Sequence, residues 1–184
     1  MTNATTEINK IIQDRALSHW HLLVASLLGS LASQQGIFNQ AFLNRIIGQS
    51  VREFLIPYFM GLPEYEALTS KIEKCAEVHE QIESVVSFVD EMFGLAGQIE
   101  TEAGPEGTTL VTVKSSGCRF CPVGVGRATL RPDMTFCPFP TLIEQTARHM
   151  LNNDTLKTVH RREGTRTRIL QKEDGHCKIS FEVA

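Results

Sequence analysis

The stretch that decides the fold and the site is residues 117–151, GCRFCPVGVGRATLRPDMTFCPFPTLIEQTARHML. Cys118 and Cys121 form a C-x-x-C pair, and Cys137 comes just before a segment that predicts an amphipathic helix. Two thiolates separated by two residues can bind one metal ion from a single tight turn. The positive end of the predicted helix would also favour a thiolate at Cys137. The stretch therefore predicts a metal site built from thiolates.

A fourth ligand is predicted from residues 72–93, where apolar residues recur at steps of three and four. In that pattern Cys75 and His79 point inward and lie one turn apart on the same helix face. Two ligands of one metal need such spacing. The alternative is a small buried cysteine beside a hydrogen-bonded core histidine. The predicted metal ligands are Cys118, Cys121 and Cys137, with Cys75 or His79 as the fourth.

Zinc is the expected metal, because a histidine, His79, is one of the two candidates for the fourth ligand. A four-iron four-sulfur cluster is the alternative, since Cys121 and Cys137 are each followed by proline and the Cys-Pro dipeptide also occurs beside such clusters. A reactive thiol at Cys137 is a third possibility.

Composition limits the classes of protein to which the chain can belong. With 184 residues, 42% of them hydrophobic, the chain can bury one good core, and a single domain over residues 1–184 is expected. The net charge of −3 gives no basic footprint for nucleic acid. The one basic run, KTVHRREGTRTR at residues 157–168, is interpreted as the solvated face of strands, so direct nucleic-acid binding is not expected.

The cellular compartment is predicted from the longest apolar stretch, the first ten residues and the number of cysteines. The longest apolar stretch, residues 21–32, is too short to span a bilayer, and the first ten residues lack the order of a signal peptide. A cytoplasmic protein is therefore expected. In a reducing compartment an odd number of cysteines, five, favours metal or redox chemistry over a disulfide framework.

Apolar periodicity predicts a helical half, residues 1–96. Residues 6–31 show helical spacing as one helix, or as two with a break near His19. Residues 37–60 predict a second helix with a wide apolar face, which is explained by the core, by a dimer interface or by an apolar ligand. A third helix is expected from about Pro63, and residues 72–93 carry the apolar residues at steps of three and four described above.

After residue 97 the period changes from helical to alternating, which predicts a sheet half, residues 97–184. A hairpin is predicted from strands 99–103 and 108–114, because GPEG lies between them. The remaining predicted elements are a helix at 140–152 and strands at 155–162, 165–172 and 176–183. Such an order favours an α+β fold with helices packed on an antiparallel sheet.

Three motifs resemble the 4-vinyl reductase domain family, whose members are also described as predicted hydrocarbon-binding proteins. They are CRFCPVGVG, TFCPFPTLIEQTARHML and the closing LQKEDGHCKISFEV, and they resemble a cysteine-bearing, archaeal-type branch. The resemblance extends from about residue 22 to residue 183. It implies an αββαββ-type core, dimerisation through the N-terminal helices, and binding of small apolar molecules or sensing.

The resemblance also maps family cysteines to Cys137 and Cys177. Many relatives carry another cysteine in the preceding strand, where this chain has Arg168 and Ile169. Cys177 is therefore interpreted as a buried strand residue and left out of the predicted site.

These observations together predict a non-catalytic, metal-binding sensory domain that binds a small molecule and forms a homodimer. The alternative is an enzyme, or an accessory subunit of one, that acts on a tetrapyrrole or another apolar unsaturated substrate, as the family name suggests. No P-loop is present, and GVGRATLR lacks the strand and helix context of a dinucleotide-binding fingerprint.

Overall fold

The computed structural model describes residues 3–33, 40–95, 99–121, 137–159, 161–163, 166–168 and 171–183. Six helices occupy the described part of the first half, and strands with one further helix follow. The predicted α+β class, with helices and an antiparallel sheet, is confirmed. The assignment of residues 1–184 to one domain stays a prediction.

The N-terminal segment forms two helices, α1 (Asn3–Asp14) and α2 (His19–Ser33), so the predicted break near His19 is confirmed. Ala16, between them, adopts a left-handed conformation with φ of 49°, which is incompatible with a continuous helix. Leu17 and Ala25 are buried together in a small cluster where the two helices meet. Over the residues that the structure describes, no helix is long and apolar enough to cross a membrane.

Within the helix predicted at 37–60, residues 40–59 form one continuous helical rod whose winding changes along its length. Helix α3 (Gln40–Ser50) continues through a π-helical turn (Val51–Leu55) into the short α4 (Ile56–Phe59). Pro57 has no N–H to donate, and a wider turn beside it accommodates the missing hydrogen bond. Val51 and Phe59 are buried in the main core.

Helices α5 (Pro63–Ile72) and α6 (Val78–Phe93) are separate. The prediction of one continuous helical pattern of apolar residues over 72–93 is therefore wrong. Glu77 caps the start of α6 in a capping box: its side chain accepts from the Glu80 N–H, and the Glu80 side chain accepts from the Glu77 N–H. Cys75 therefore lies in the connection between the helices. The helical spacing that placed Cys75 and His79 on one face is wrong.

The second half forms an antiparallel sheet and one helix. The structure confirms, to within two residues at each end, the predicted hairpin strands 99–103 and 108–114, the helix 140–152 and the strand 176–183. The elements are β1 (Ile99–Ala103), β2 (Thr109–Lys114), α7 (Phe139–Met150), β3 (Leu156–Thr158), β4 (Arg161–Glu163), β5 (Arg166–Arg168), β6 (Gln171–Glu173) and β7 (His176–Val183). The main sheet has the order β1-β2-β7-β3, and β6 also pairs with β7.

The core lies between one face of this sheet and helices α6 and α7. Alternate residues of β2 and β7, among them Val111, Ile179 and Phe181, are buried, as expected for a sheet covered on one face. Val89 of α6 and Ile143 of α7 pack in the same cluster. Burial of each such side chain contributes roughly 1.5–3 kcal/mol, so this cluster holds the two helices on the sheet.

Candidate metal centre

The C-x-x-C pair lies in a tight turn that follows β2. The Cys121 N–H donates to the carbonyl oxygen of Cys118 at 3.4 Å, and both thiols are buried. The Arg119 N–H donates to the carbonyl oxygen of Leu95 at 2.8 Å, just beyond α6. The turn is therefore fixed against the end of α6, as a two-thiol half-site requires.

Cys177 joins this pair, although the sequence analysis left it out. It lies on β7 directly opposite Val113 of β2, and it is buried in the same cluster as Cys118 and Cys121. Burial raises the pKa of the Cys118 thiol to about 12, and the charges of Cys121 and Cys177 act in the same direction. Three thiols from two distant segments thus share one buried region.

Cys137 lies at the other end of the loop, two residues before α7. Its helix-start position is confirmed. Its main chain is held by the Gln40 side chain, which accepts from the Cys137 N–H at 3.1 Å and donates to the Cys137 carbonyl at 2.8 Å. Phe139 packs edge-on against Phe120 with ring centroids 5.3 Å apart. The start of α7 therefore packs against the cysteine turn, while the role of Cys137 as a ligand stays a prediction.

Cys75 and His79 are not brought together on a shared helix face. The Cys75 thiol donates to the carbonyl oxygen of Lys71 at 3.4 Å and lies 3.9 Å from the hydroxyl of Ser84. His79 is partly buried in the first turn of α6. The loss of the helical spacing removes the geometric reason for choosing either as the fourth ligand, and their ligation stays a prediction.

Cys118, Cys121 and Cys177 carry buried thiols, which are soft donors of the kind that thiophilic metals prefer. Across the described ranges, no group of three or more His, Cys, Asp or Glu side chains is arranged so that it could hold a metal ion. Residues 122–136, which join Cys121 to Cys137, lie outside those ranges. Thiols must lose their protons to bind metal, so a metal would bind here with proton release.

Two arginines surround the cysteine turn. Arg15 Nη1 donates to the carbonyl oxygens of Cys121 at 3.2 Å and Cys118 at 3.5 Å. Arg119 Nε donates to the carbonyl oxygen of Arg15 at 3.2 Å, and its Nη1 lies 3.5 Å from the carbonyl of Gly94. These contacts tie the turn after α1 to the cysteine turn.

His21 packs on the other side of the turn and is fully engaged there. Its ring meets Phe120 edge-on at 5.0 Å, and its Nδ1 accepts from the Ser18 N–H at 3.1 Å. Burial lowers the pKa of His21, against a hydrogen bond to the Phe93 backbone that raises it, and the charge of Arg119 lowers it further. Because Nδ1 accepts, the ring proton lies on Nε2, and His21 acts as a neutral packing residue.

Comparison with known proteins corrects the predicted family. No curated protein and no solved structure matches the chain. The resemblance to the 4-vinyl reductase domain is wrong: it rested on short motifs, a cysteine before a helix and a closing hairpin, that are not specific to one family. A family model matches residues 55–183, which include α5 to α7, the cysteine turn and the whole sheet. The chain belongs to the MJ0207 family.

Proposed function

We propose that this chain is a non-catalytic, metal-binding domain in which Cys118, Cys121 and Cys177 bind zinc, with Cys137 as the fourth ligand. The observation that carries it is the burial of three thiols in one region, two from the turn after β2 and one from β7. Cys177 takes the place that the sequence analysis gave to Cys75 or His79. Cys137 is retained because the start of α7 packs against the same turn.

A metal held by these residues would join three parts of the second half. Cys118 and Cys121 belong to the turn after β2, Cys177 to β7, and Cys137 to the segment before α7. When bound, zinc supplies a closed tetrahedral site that stabilises the folded chain directly. Arg15 would help to hold the turn, because it donates to the main-chain carbonyls of both Cys118 and Cys121.

The environment of the thiols favours binding over catalysis. A nucleophilic cysteine needs a lowered pKa and partial exposure. Here burial raises the pKa of Cys118 to about 12, so the metal-free thiol stays protonated at neutral pH. The five free cysteines also support a reducing compartment, and we propose the cytoplasm.

We also propose a homodimer formed through α2. Trp20, Leu23 and Leu27 are more than half exposed and lie at helical steps of three and four along α2. Such a contiguous apolar face is typical of an interface. Light scattering should give twice the chain mass for the native protein and a single chain for Leu23→Lys with Leu27→Lys. A monomeric native protein whose α2 binds a small apolar dye would point to a ligand instead of a second copy.

Anaerobic purification followed by elemental analysis and a visible absorption spectrum tests the metal. Colourless protein with one zinc per chain supports the zinc site. Brown protein with about four irons per chain would show the cluster alternative. Metal-free protein that takes up neither metal under reducing conditions would contradict the proposed function.

A further inference from the structure

Arg15, between α1 and α2, lies against the main chain of the cysteine turn (residues 118–121). Its Nη1 donates to the carbonyl oxygens of Cys121 at 3.2 Å and Cys118 at 3.5 Å. Arg119 of the turn donates in return, from its Nε to the carbonyl oxygen of Arg15 at 3.2 Å. The two segments are therefore joined by hydrogen bonds in both directions.

His21 lies against the same turn from the start of α2. Its ring meets that of Phe120 edge-on, with the centroids 5.0 Å apart. Phe120 is one of the two residues between the cysteines of the C-x-x-C pair, and it is only 6% exposed. Val24, three residues further along α2, packs against the main core. The start of α2 therefore covers a side chain of the cysteine turn.

The other buried residues of α1 and α2 pack outside the main core. Leu17 and Ala25 form one small cluster, and Leu28 packs against Leu43 of α3 in another. Neither cluster includes a residue of the cysteine turn. Separation of α2 from the turn would therefore break hydrogen bonds and one ring contact, but it would leave both clusters in place. Such a local opening costs less free energy than unfolding of the sheet.

We propose that α1 and the start of α2 form a cover that controls access to the thiols of the cysteine turn. In the closed form Arg15 and His21 hold the cover on the turn. In the open form the cover pivots about the contact of Leu28 with Leu43, so that chelators and thiol reagents reach the turn. Metal would then be exchanged through the open form. This use of the cover rests on the proposed zinc site, whereas the opening itself rests on the contacts alone.

Thiol labelling of the reduced, metal-free chain tests the opening without any need for zinc. The test variant is Arg15→Ala with His21→Ala. The matched control is Lys10→Ala with His19→Ala, which removes one basic side chain and one histidine from exposed positions of α1 and α2. Reaction with N-ethylmaleimide, followed by peptide mass spectrometry, gives the labelling rate of the two cysteines of the turn. The rate should rise about tenfold in the test variant and stay native in the control, because it follows the population of the open form.

Urea separates local opening from unfolding of the whole chain. The labelling rate should rise less steeply with urea than the unfolding equilibrium measured by circular dichroism, because opening of the cover exposes less surface. Equal labelling rates in the test variant and the control would overturn the cover. So would a urea dependence of labelling in the native chain as steep as that of unfolding.

Release of zinc from the loaded chain tests the use of the cover in metal exchange. At equal zinc content, transfer of zinc to a chromogenic chelator should be about tenfold faster from the test variant than from the control. Fast labelling of the test variant together with a native rate of zinc release would overturn the role of the cover in metal exchange. A chain that binds no zinc but shows the expected labelling would contradict the proposed function and still support the cover.

Discussion

The guanidinium group of Arg15 donates a hydrogen bond from Nη1 to the main-chain carbonyl of Cys121 at 3.2 Å. These residues are 106 positions apart in the sequence, and the contact joins the turn between α1 and α2 to the C-x-x-C turn. Arg119 reinforces it by donating to the carbonyl oxygen of Arg15. The N-terminal helices are thus attached at the candidate metal centre.

Arg15→Ala should lower the free energy of unfolding by about 1.5–3 kcal/mol, because it removes charge-assisted hydrogen bonds from partly buried carbonyls. Chemical denaturation measures this loss, and limited proteolysis should show earlier cleavage near α1 and α2. The matched control is Lys10→Ala, an exposed residue of α1, which should change stability by less than about 0.5 kcal/mol. Equal stability of the two variants would show that the Arg15 contact does not anchor the helices.

The low pKa of His21 predicts a loss of stability in acid. The folded chain binds the proton at His21 less readily than the unfolded chain, whose histidine keeps a pKa near 6.5. The contribution of neutral His21 is therefore present above pH 6.5 and is lost as the pH falls through its folded pKa. Melting curves from pH 7.5 to pH 5 should show a smaller decline for His21→Gln than for the native chain. Parallel declines would contradict the assignment of His21 as neutral.

Glu144 of α7 should be needed to hold β3. One of its carboxylate oxygens accepts from the Thr158 N–H at 2.8 Å and from the Thr158 hydroxyl at 2.7 Å, and the other pairs with Arg148 at 3.2 Å. Glu144→Ala leaves a buried N–H without its acceptor, which costs about 1–3 kcal/mol. Denaturation of this variant beside Glu91→Ala, an exposed residue of α6, provides the comparison. A native midpoint for Glu144→Ala would rule out this role.

The sequence predicted those elements whose signals are local. GPEG between alternating residues predicted β1 and β2, and a proline before an amphipathic run predicted α7. The break between α5 and α6 was missed because Cys75, a small apolar residue, continues the helical spacing of apolar residues across the connection. Glu77 and Glu80 form the capping box that ends this register, but glutamate is not one of the favoured N-cap residues.

The composition of the site could be predicted only in part. Cys118 and Cys121 were visible because their spacing is itself a signal. Cys177 becomes part of the buried region through the register of β7 with β2, which no local pattern encodes. Its burial on the face of Ile179 and Phe181 followed from alternation, and that alternation was the available clue. The contact of Arg15 with Cys121 had no sequence signal, because it uses a main-chain carbonyl far along the chain.

The most direct test of the account is the zinc content of Cys177→Ala beside that of Cys75→Ala. Both substitutions remove one thiol, and circular dichroism shows whether each variant remains folded. The native chain and Cys75→Ala should each retain one zinc ion after dialysis, and Cys177→Ala should lose most of it, because Cys177 shares the buried region of Cys118 and Cys121 while Cys75 bonds to Lys71. Full zinc retention by a folded Cys177→Ala, or loss of zinc from Cys75→Ala, would contradict the proposed ligand set.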